Sequence, residues 1–394
     1  MEESGLADLF PYYAGFAFDW AYGQLQNSGL PQTALILDPW NGSGTTTLAA
    51  QTAGFRSIGL DLNPIANIVA QLRCLTLADA ISYAKPSSSS VRVAVDANDP
   101  LNDWFATRAV GRLRDWTSLL STIDPLSRSL GYVSIFRTVR QLTASFAGTN
   151  PTWVKRAKEL DQLVDPSPEV LDALITEERS AIVARLKERS EIATPAAILT
   201  ASAKSLPIVD ESVDLILTSP PYLTRIDYAV AYSRELAVIG LNVSLDRSLR
   251  SALMGTTLIR QHARAFERLG REACSLLDKI HAHGSKASKG YYYKQACQYL
   301  ADLSDGLDEV TRVARPGAGM VLVVQDSYYK DVHVPLADIC IDEAELRGWE
   351  LEYKDPYPVK RLLTSLNTSA RAYKKGEVSE SVIRLRKKSP QAGA

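Results

Sequence analysis

Metal-binding and redox-active side chains are scarce in this chain of 394 residues, which holds four cysteines, four histidines and three methionines. Cys74, Cys274, Cys297 and Cys340 form no CxxC pair. Neither a disulfide framework nor a zinc knuckle is therefore expected, and no metal site. Cys74 reads as a small core residue. No apolar run is long enough to cross a bilayer. The acidic start MEESGLADLF lacks a signal-peptide pattern, so a cytoplasmic chain with no membrane partner is expected. Charge of one sign is also lacking: 44 Lys and Arg stand against 45 Asp and Glu, for a net charge of −1. Overall charge does not advertise a polyanionic partner, and any basic surface must be local. Apolar residues, by contrast, make up 46% of the chain, enough for one large core or two modest ones.

The first apolar burst, Ala34-Leu35-Ile36-Leu37, runs into Asp38-Pro39-Trp40-Asn41-Gly42-Ser43-Gly44. A short apolar run ending in glycines predicts a buried parallel strand and a tight turn. Thr45 to Thr52 then reads as a helix, and Ser57 to Leu60 as a second strand ending at Asp61. Together they make one βαβ unit. The Ser-rich stretch Lys85 to Ser90 is linker-like, and Trp104 to about Arg189 reads as mostly helix. Strands resume at Ala197 to Thr200 and Val213 to Leu217, the latter ending in Thr218-Ser219-Pro220-Pro221-Tyr222. Later elements are a helix from Tyr299 to Val313, a strand from Met320 to Gln325, a helix near Pro335 to Arg347, and strands near Trp349 to Tyr353 and Ser381 to Leu385. The ending RLRKKSPQAGA reads as a frayed tail. The pattern predicts an α/β, doubly wound, mostly parallel sheet with two insertions. Its expected parts are a discontinuous catalytic domain, 1–78 and 195–390, a helical insertion, 79–194, and a basic insertion, 241–294.

Glycines after a buried strand let a ligand approach the backbone, and the helix that follows favours polar ligand groups at its N-terminus. An acid ending the second strand can accept from both hydroxyls of a ribose, and Asp61 stands about twenty residues past the glycine turn, where that logic wants it. A phosphate-binding P-loop is the rival, but it requires a lysine before its Ser/Thr, and Gly42-Ser43-Gly44-Thr45-Thr46 has none. At the other strand end, Pro220 and Pro221 have fixed φ and no N–H donors. They predict a rigid extended turn, with the Ser219 hydroxyl and Pro220 carbonyl facing a cleft and the Tyr222 ring offering a flat face.

DPWNGSGTT together with TSPPY resembles the S-adenosylmethionine-dependent amino-methyltransferases that form N4-methylcytosine or N6-methyladenine in DNA. The resemblance covers roughly residues 10–78 and 195–390 and implies a Rossmann-like class I methyltransferase fold. It implies S-adenosylmethionine contacts from Asp38, Trp40, Gly42, Ser43, Gly44, Thr45, Asp61, Leu62 and Asn63. It implies catalytic roles for Ser219, Pro220, Pro221 and Tyr222. Phe10 to Phe16 resembles the segment that covers the cofactor's methionine end, which brings in Tyr13 and Phe16. Ser202 stands where relatives often carry an acid near the adenine. The chemistry accounts for the turn: an exocyclic base amine is a weak nucleophile, and acceptors on its two protons localise its lone pair as it attacks a sulfonium methyl. The target base must leave the duplex, and an aromatic face then supports it. A serine before the two prolines favours cytosine N4, with adenine N6 as the alternative. Methylation at cytosine C5 is disfavoured, because it needs a cysteine nucleophile where Tyr222 stands. The other classes in play are an RNA or protein amine methyltransferase on the same fold, and a non-catalytic nucleic-acid-binding subunit.

Double-stranded DNA is the partner this implies, with a restriction or defence system beyond it. From Leu241 to Lys294 ten Lys and Arg face four Asp and Glu. Arg260, Arg264, Arg268 and Arg271 recur at helical spacing. Ser285 to Gly290 reads as a flexible basic loop, so that Lys286, Lys289 and Lys294 suit phosphate and Tyr291 to Tyr293 suit base stacking. Trp153 and Lys155, in the first insertion, form a second candidate contact, equally readable as a capped helix start with a core Trp. Asp227 and Tyr228 are expected either to support the catalytic turn or to cap the next helix.

Overall fold

Four prolines each open a helical segment at its first turn, where a missing N–H costs nothing, and each follows a residue whose side chain caps that turn. The pairs are Asn63-Pro64, Asp99-Pro100, Asp124-Pro125 and Ser167-Pro168. The computed structural model describes residues 9–12, 15–76, 95–148, 154–188, 194–223, 226–260, 268–359 and 377–389. The strands are β1 (Leu35–Asp38), β2 (Arg56–Asp61), β3 (Ala196–Thr200), β4 (Val213–Thr218), β5 (Ala314–Gln325), β6 (Ser327–Tyr329), β7 (Val332–Val334), β8 (Trp349–Pro358) and β9 (Ser379–Lys387). The helices that matter here are α1 (Phe18–Gln26), α2 (Thr45–Thr52), α3 (Pro64–Arg73), α4 (Thr107–Ser121), α5 (Pro125–Leu142) and α6 (Pro168–Lys187). They continue with α7 (Ser233–Val238), α8 (Arg271–Ala282), α9 (Tyr293–Val313) and α10 (Leu336–Glu345).

Seven strands form one sheet in the order β3-β2-β1-β4-β5-β9-β8. The first five run parallel, and β9 is antiparallel to both neighbours. The remaining two, β6 and β7, make a small separate hairpin. The chain steps outward from β1 to β3 and then returns to the other side of β1 as β4. In such a sheet the crevice opens beyond the carboxyl ends of the strands at this switch point, here β1 and β4.

Three apolar cores bracket the sheet. One joins α1 and α2 to one face through Ile36, Leu217 and Val323. Another joins α8, α9 and α10 to the opposite face through Leu37, Ile216 and Leu322. The third is built by α3 with α4, α5, α6 and α7, and it takes in Leu9 and Phe10. The helices between β2 and β3 thus share one packed interior with the N-terminal segment.

Some boundaries differ from the sequence reading. Helix α9 starts at Tyr293 rather than Tyr299, because a helical turn over Ser288–Tyr292 leads straight into it. Strand β9 runs to Lys387, so Arg384 to Lys387 are ladder residues and not tail, with Arg386 donating to Glu352 at 2.7 Å. The basic stretch near Arg260 is no single helix: Arg260 ends an extended segment, Arg271 opens α8, and Arg264 lies outside the described residues.

Gly44 sets the angle at which β1 hands over to α2. Its φ is +87°, and an added Cβ would sit 2.7 Å from the Ala70 Cβ and 3.0 Å from its Cα. Gly44→Ala therefore meets both left-handed strain and a backbone clash with α3, and is expected to destabilise the fold by about 2–4 kcal/mol. Urea denaturation measures this directly; a loss within error of zero would mean that α3 can shift freely.

Candidate active site

Asp38 ends β1 as a knot rather than as an open ligand. Its carboxylate accepts from Thr218 Oγ1 at 2.5 Å, Thr46 Oγ1 at 2.6 Å and the Trp40 N–H at 3.1 Å. Those bonds tie the ends of β1 and β4 to the start of α2. Burial raises its pKa to about 6, against the lowering effect of these same donors. Asn41 reaches over β2, where Gly59 makes room; a Cβ there would lie 2.4 Å from the Asn41 amide.

Asp61 ends β2, and its two oxygens take the Gly42 N–H at 3.0 Å and the Asn63 N–H at 2.8 Å. Burial again dominates and lifts its pKa to about 6. The carboxylate is preset at the cleft wall by the glycine turn on one side and by the start of α3 on the other. Asn63 is fully buried, with its side chain capping α3 through the Ile65 N–H at 3.1 Å, so it serves the site by orienting Asp61.

An open cleft lies over these strand ends. The glycine turn contributes Asp38, Trp40, Gly42, Ser43 and Thr45, and β2 contributes Asp61 and Leu62. Ser202 lies on the same wall, as do Tyr12 and Phe16 of the N-terminal segment. The catalytic turn brings Ser219, Pro220 and Pro221 to it. Sequence-predicted residues from five separated stretches therefore converge on one space. Gly44 is the exception within its turn, since it faces α3. Tyr13 lies outside the described residues. Tyr222 stands behind the cleft wall, packed against the α8–α10 core, with its hydroxyl 3.4 Å from Ser219 Oγ.

Several lining residues belong to no motif. Tyr228 lines the cleft and stacks on Tyr12, centroids 6.0 Å apart; burial raises its pKa above the usual tyrosine range. Asp227 both caps the turn after it and anchors Arg250 at 2.8 Å and Thr257 Oγ1 at 2.8 Å. The loop so anchored supplies Leu253 and Met254 as the cleft's far wall. Asp302, on α9, lines the cleft while holding Lys204 at 2.7 Å and Arg260.

The segment Leu9–Tyr12 roofs this space and is held from the helical layer. On α5, Arg137 donates to the Leu9 carbonyl at 2.7 Å and Arg140 to the Pro11 carbonyl at 3.3 Å. The Arg140 guanidinium lies 4.1 Å from the Phe10 ring centroid and pairs with the fully buried Glu235 of α7. Tyr12 stacks on Tyr232 at 4.7 Å.

The basic residues are placed differently from expectation. Lys286, Lys289 and Lys294 are exposed. Their loop, however, is pinned from within: His283 bonds Ser285 Oγ at 2.8 Å and Asp331 at 2.7 Å, and Ser288 bonds the Tyr329 hydroxyl at 2.5 Å. Tyr292 packs on Tyr329 and Tyr293 on His281, which leaves Tyr291 as the exposed member of the three. Lys155 is exposed, its carbonyl accepting from the Trp104 indole at 2.8 Å, and Trp153 lies outside the described residues. Among the described residues there is no cluster of three potential metal ligands, and no helix long and apolar enough to cross a membrane.

Five parallel strands switching at β1/β4, one antiparallel strand beside the far edge, and a ligand cleft over an acid-ended β2 define the fold as α/β, of the Rossmann-like class I methyltransferase type. The chain is similar to the Type II methyltransferase M.BsoBI of Geobacillus stearothermophilus, 24% identical over 401 residues that cover 86% of this chain and 77% of that one. It is also similar to the Type II methyltransferase M.AvaI of a Nostoc strain, 26% identical over 159 residues, or 35% of this chain and 31% of that one. Among solved structures, a SAM-dependent methyltransferase from Methanosarcina mazei matches over 92% of this chain and 96% of its own at 10% identity, with a TM-score of 0.33. No family model matches the chain.

Proposed function

We propose that this protein is a DNA methyltransferase that moves a methyl group from S-adenosylmethionine to an exocyclic amine of a base, cytosine N4 in preference to adenine N6. The observation that carries this reading is the meeting of the Ser219-Pro220-Pro221 turn with the Asp38–Thr45 turn and Asp61 in one cleft. Similarity to Type II methyltransferases along most of the chain supports it. The catalytic unit in this reading is 1–78 with 195–390.

The residues suit the cofactor's parts. Asp61 offers carboxylate oxygens for ribose hydroxyls, Trp40 an aromatic wall, and Gly42 leaves open the space that a Cβ would take 3.3 Å from the Tyr12 ring. When bound, S-adenosylmethionine supplies an electrophilic methyl on sulfur. The protein's own task is to hold the amine. The Ser219 hydroxyl and the Pro220 carbonyl accept its two protons, sharpen its lone pair and fix its line of approach. Tyr12, Phe16 and Tyr228 keep the cleft apolar around that event. The test is to incubate the protein with DNA and labelled S-adenosylmethionine and identify the labelled nucleoside. Labelled N4-methyldeoxycytidine is expected; label in N6-methyldeoxyadenosine moves the base assignment, and label taken up by RNA but not by DNA in a parallel incubation overturns the substrate class.

Duplex DNA is held, in this reading, by the exposed Lys286, Lys289 and Lys294. Each phosphate contact releases counterions and steepens log affinity against log salt by about 0.9, so their triple alanine variant is expected to lower the slope by roughly two to three units. Sequence choice should hardly change, because phosphate contacts position the duplex without reading it. An unaltered slope would move the DNA face to the first insertion around Lys155.

A further inference from the structure

Two adjacent prolines leave the catalytic turn with an unusual weakness. Neither Pro220 nor Pro221 has an N–H, so neither residue can donate a hydrogen bond to fix its place. Carbonyl oxygens and ring packing are the only handles by which the backbone there can be gripped. One of these is taken from the core side: the Tyr299 hydroxyl of α9 donates to the Pro221 carbonyl at 2.7 Å. Tyr299 is 2% exposed and sits in the core under α9.

The same helix touches the other end of the site. Gly306 meets the Trp40 ring so closely that an added Cβ would lie 2.7 Å from it, and Asp302, between them, lines the cleft. Tyr299 and Gly306 are seven residues, about two turns and ~10 Å, apart on one helix face. Helix α9 therefore spans from the wall beside the glycine turn to the turn that would hold the amine. We propose that Tyr299 is a positioning residue for methyl transfer: by gripping the Pro221 carbonyl it fixes the Pro221–Tyr222 peptide, and through the rigid Pro221 ring the adjoining Pro220 carbonyl offered to the amine. Its grip also removes the Pro221 carbonyl from the acceptors open to substrate, which leaves that task to Ser219 and Pro220. The proposal rests on the methyltransferase reading above.

Tyr299→Phe keeps the buried ring and deletes only the donor. Methyl transfer is measured under saturating DNA and cofactor, alongside calorimetric binding of S-adenosylhomocysteine and thermal unfolding. The expected result is a fall in kcat of about tenfold, on the scale of one misplaced transition-state contact, with cofactor affinity within twofold of the parent. Tyr299→Leu, which loses ring and donor alike, should add a loss of thermal stability that Tyr299→Phe does not share in proportion. An unchanged kcat in Tyr299→Phe overturns the proposal while leaving the methyltransferase reading intact. Parallel losses of kcat, cofactor affinity and stability in Tyr299→Phe also overturn it, since they describe a residue that is merely structural. A parent protein that methylates no nucleic acid overturns the reading itself, and this inference with it.

Discussion

Ser219→Ala is expected to lower kcat for methyl transfer by a hundredfold or more and to leave cofactor affinity nearly unchanged. The scale is that of one removed donor or acceptor acting on charge that develops in the transition state, on the order of 10² to 10³. The geometry separates the two functions. Ser219 lies on the cleft wall at the end of β4, whereas the groups suited to the ribose and glycine turn belong to β1 and β2. Tyr222→Ala should also reduce kcat sharply, but by another route, since Tyr222 lies behind the wall with its hydroxyl near Ser219. Tyr222→Phe distinguishes ring from hydroxyl. Rapid-quench transfer assays with calorimetry of S-adenosylhomocysteine decide the matter, and a large loss of cofactor affinity in Ser219→Ala would defeat this division of labour.

Asp61→Asn should weaken S-adenosylmethionine binding by roughly 1.5–3 kcal/mol, the worth of hydrogen bonds to a charged acceptor. It also carries a pH signature. Burial lifts the Asp61 pKa from 3.8 to about 6. Ribose hydroxyls donate to the ionised form, so binding favours loss of the proton. Parent affinity is then flat above about pH 6 and falls by up to about tenfold per pH unit below it. The asparagine variant has no such proton to lose and shows a flatter profile, with the remainder set by Asp38. Stability moves the opposite way. The folded protein keeps the Asp61 proton up to about pH 6 and the unfolded chain only to about 3.8. This group's contribution to stability therefore declines as pH rises through that window. Asp61→Asn removes this pH dependence of stability, although its amide can accept only one of the two backbone N–H groups that the carboxylate holds. Isothermal titrations across pH 5 to 8 check the first claim, and thermal melts the second; matching pH profiles for parent and variant would place the ribose elsewhere.

The central part of this fold was legible because its signals are local. Leu35 to Gly44 carries its strand, its turn and its ligand chemistry in ten consecutive residues, and Asp61 follows at the spacing a βαβ unit imposes. Asp302 and Tyr299 gave no such signal. They are single residues on a long amphipathic helix, and only the return of α9 across the sheet brings Asp302 to the cleft and Tyr299 to the back of the proline turn. Tyr291 to Tyr293 misled for a related reason: composition reports aromatic surface but not which faces other rings have already covered. The arginine spacing from Arg260 to Arg271 suggested one helix, whereas Arg260 stands outside any helix and pairs with Asp302, and α8 opens only at Arg271.

The grip of Arg137 and Arg140 on Leu9 to Pro11 bears on how such proteins exchange parts. A segment that roofs the cofactor cleft is fastened by a helix inserted between β2 and β3, and Glu235, far along the chain, completes the fastening. Grafting the helices of 107–187 from a relative would bring in foreign side chains beneath the roof while leaving both signature turns untouched. The unit of recombination is therefore not the insertion alone. It comprises three pieces of chain: Leu9–Tyr12, the α4–α6 helices and Tyr232–Val238. A chimera that moves only the middle piece keeps both signature turns and loses the bonds that hold Leu9 and Pro11.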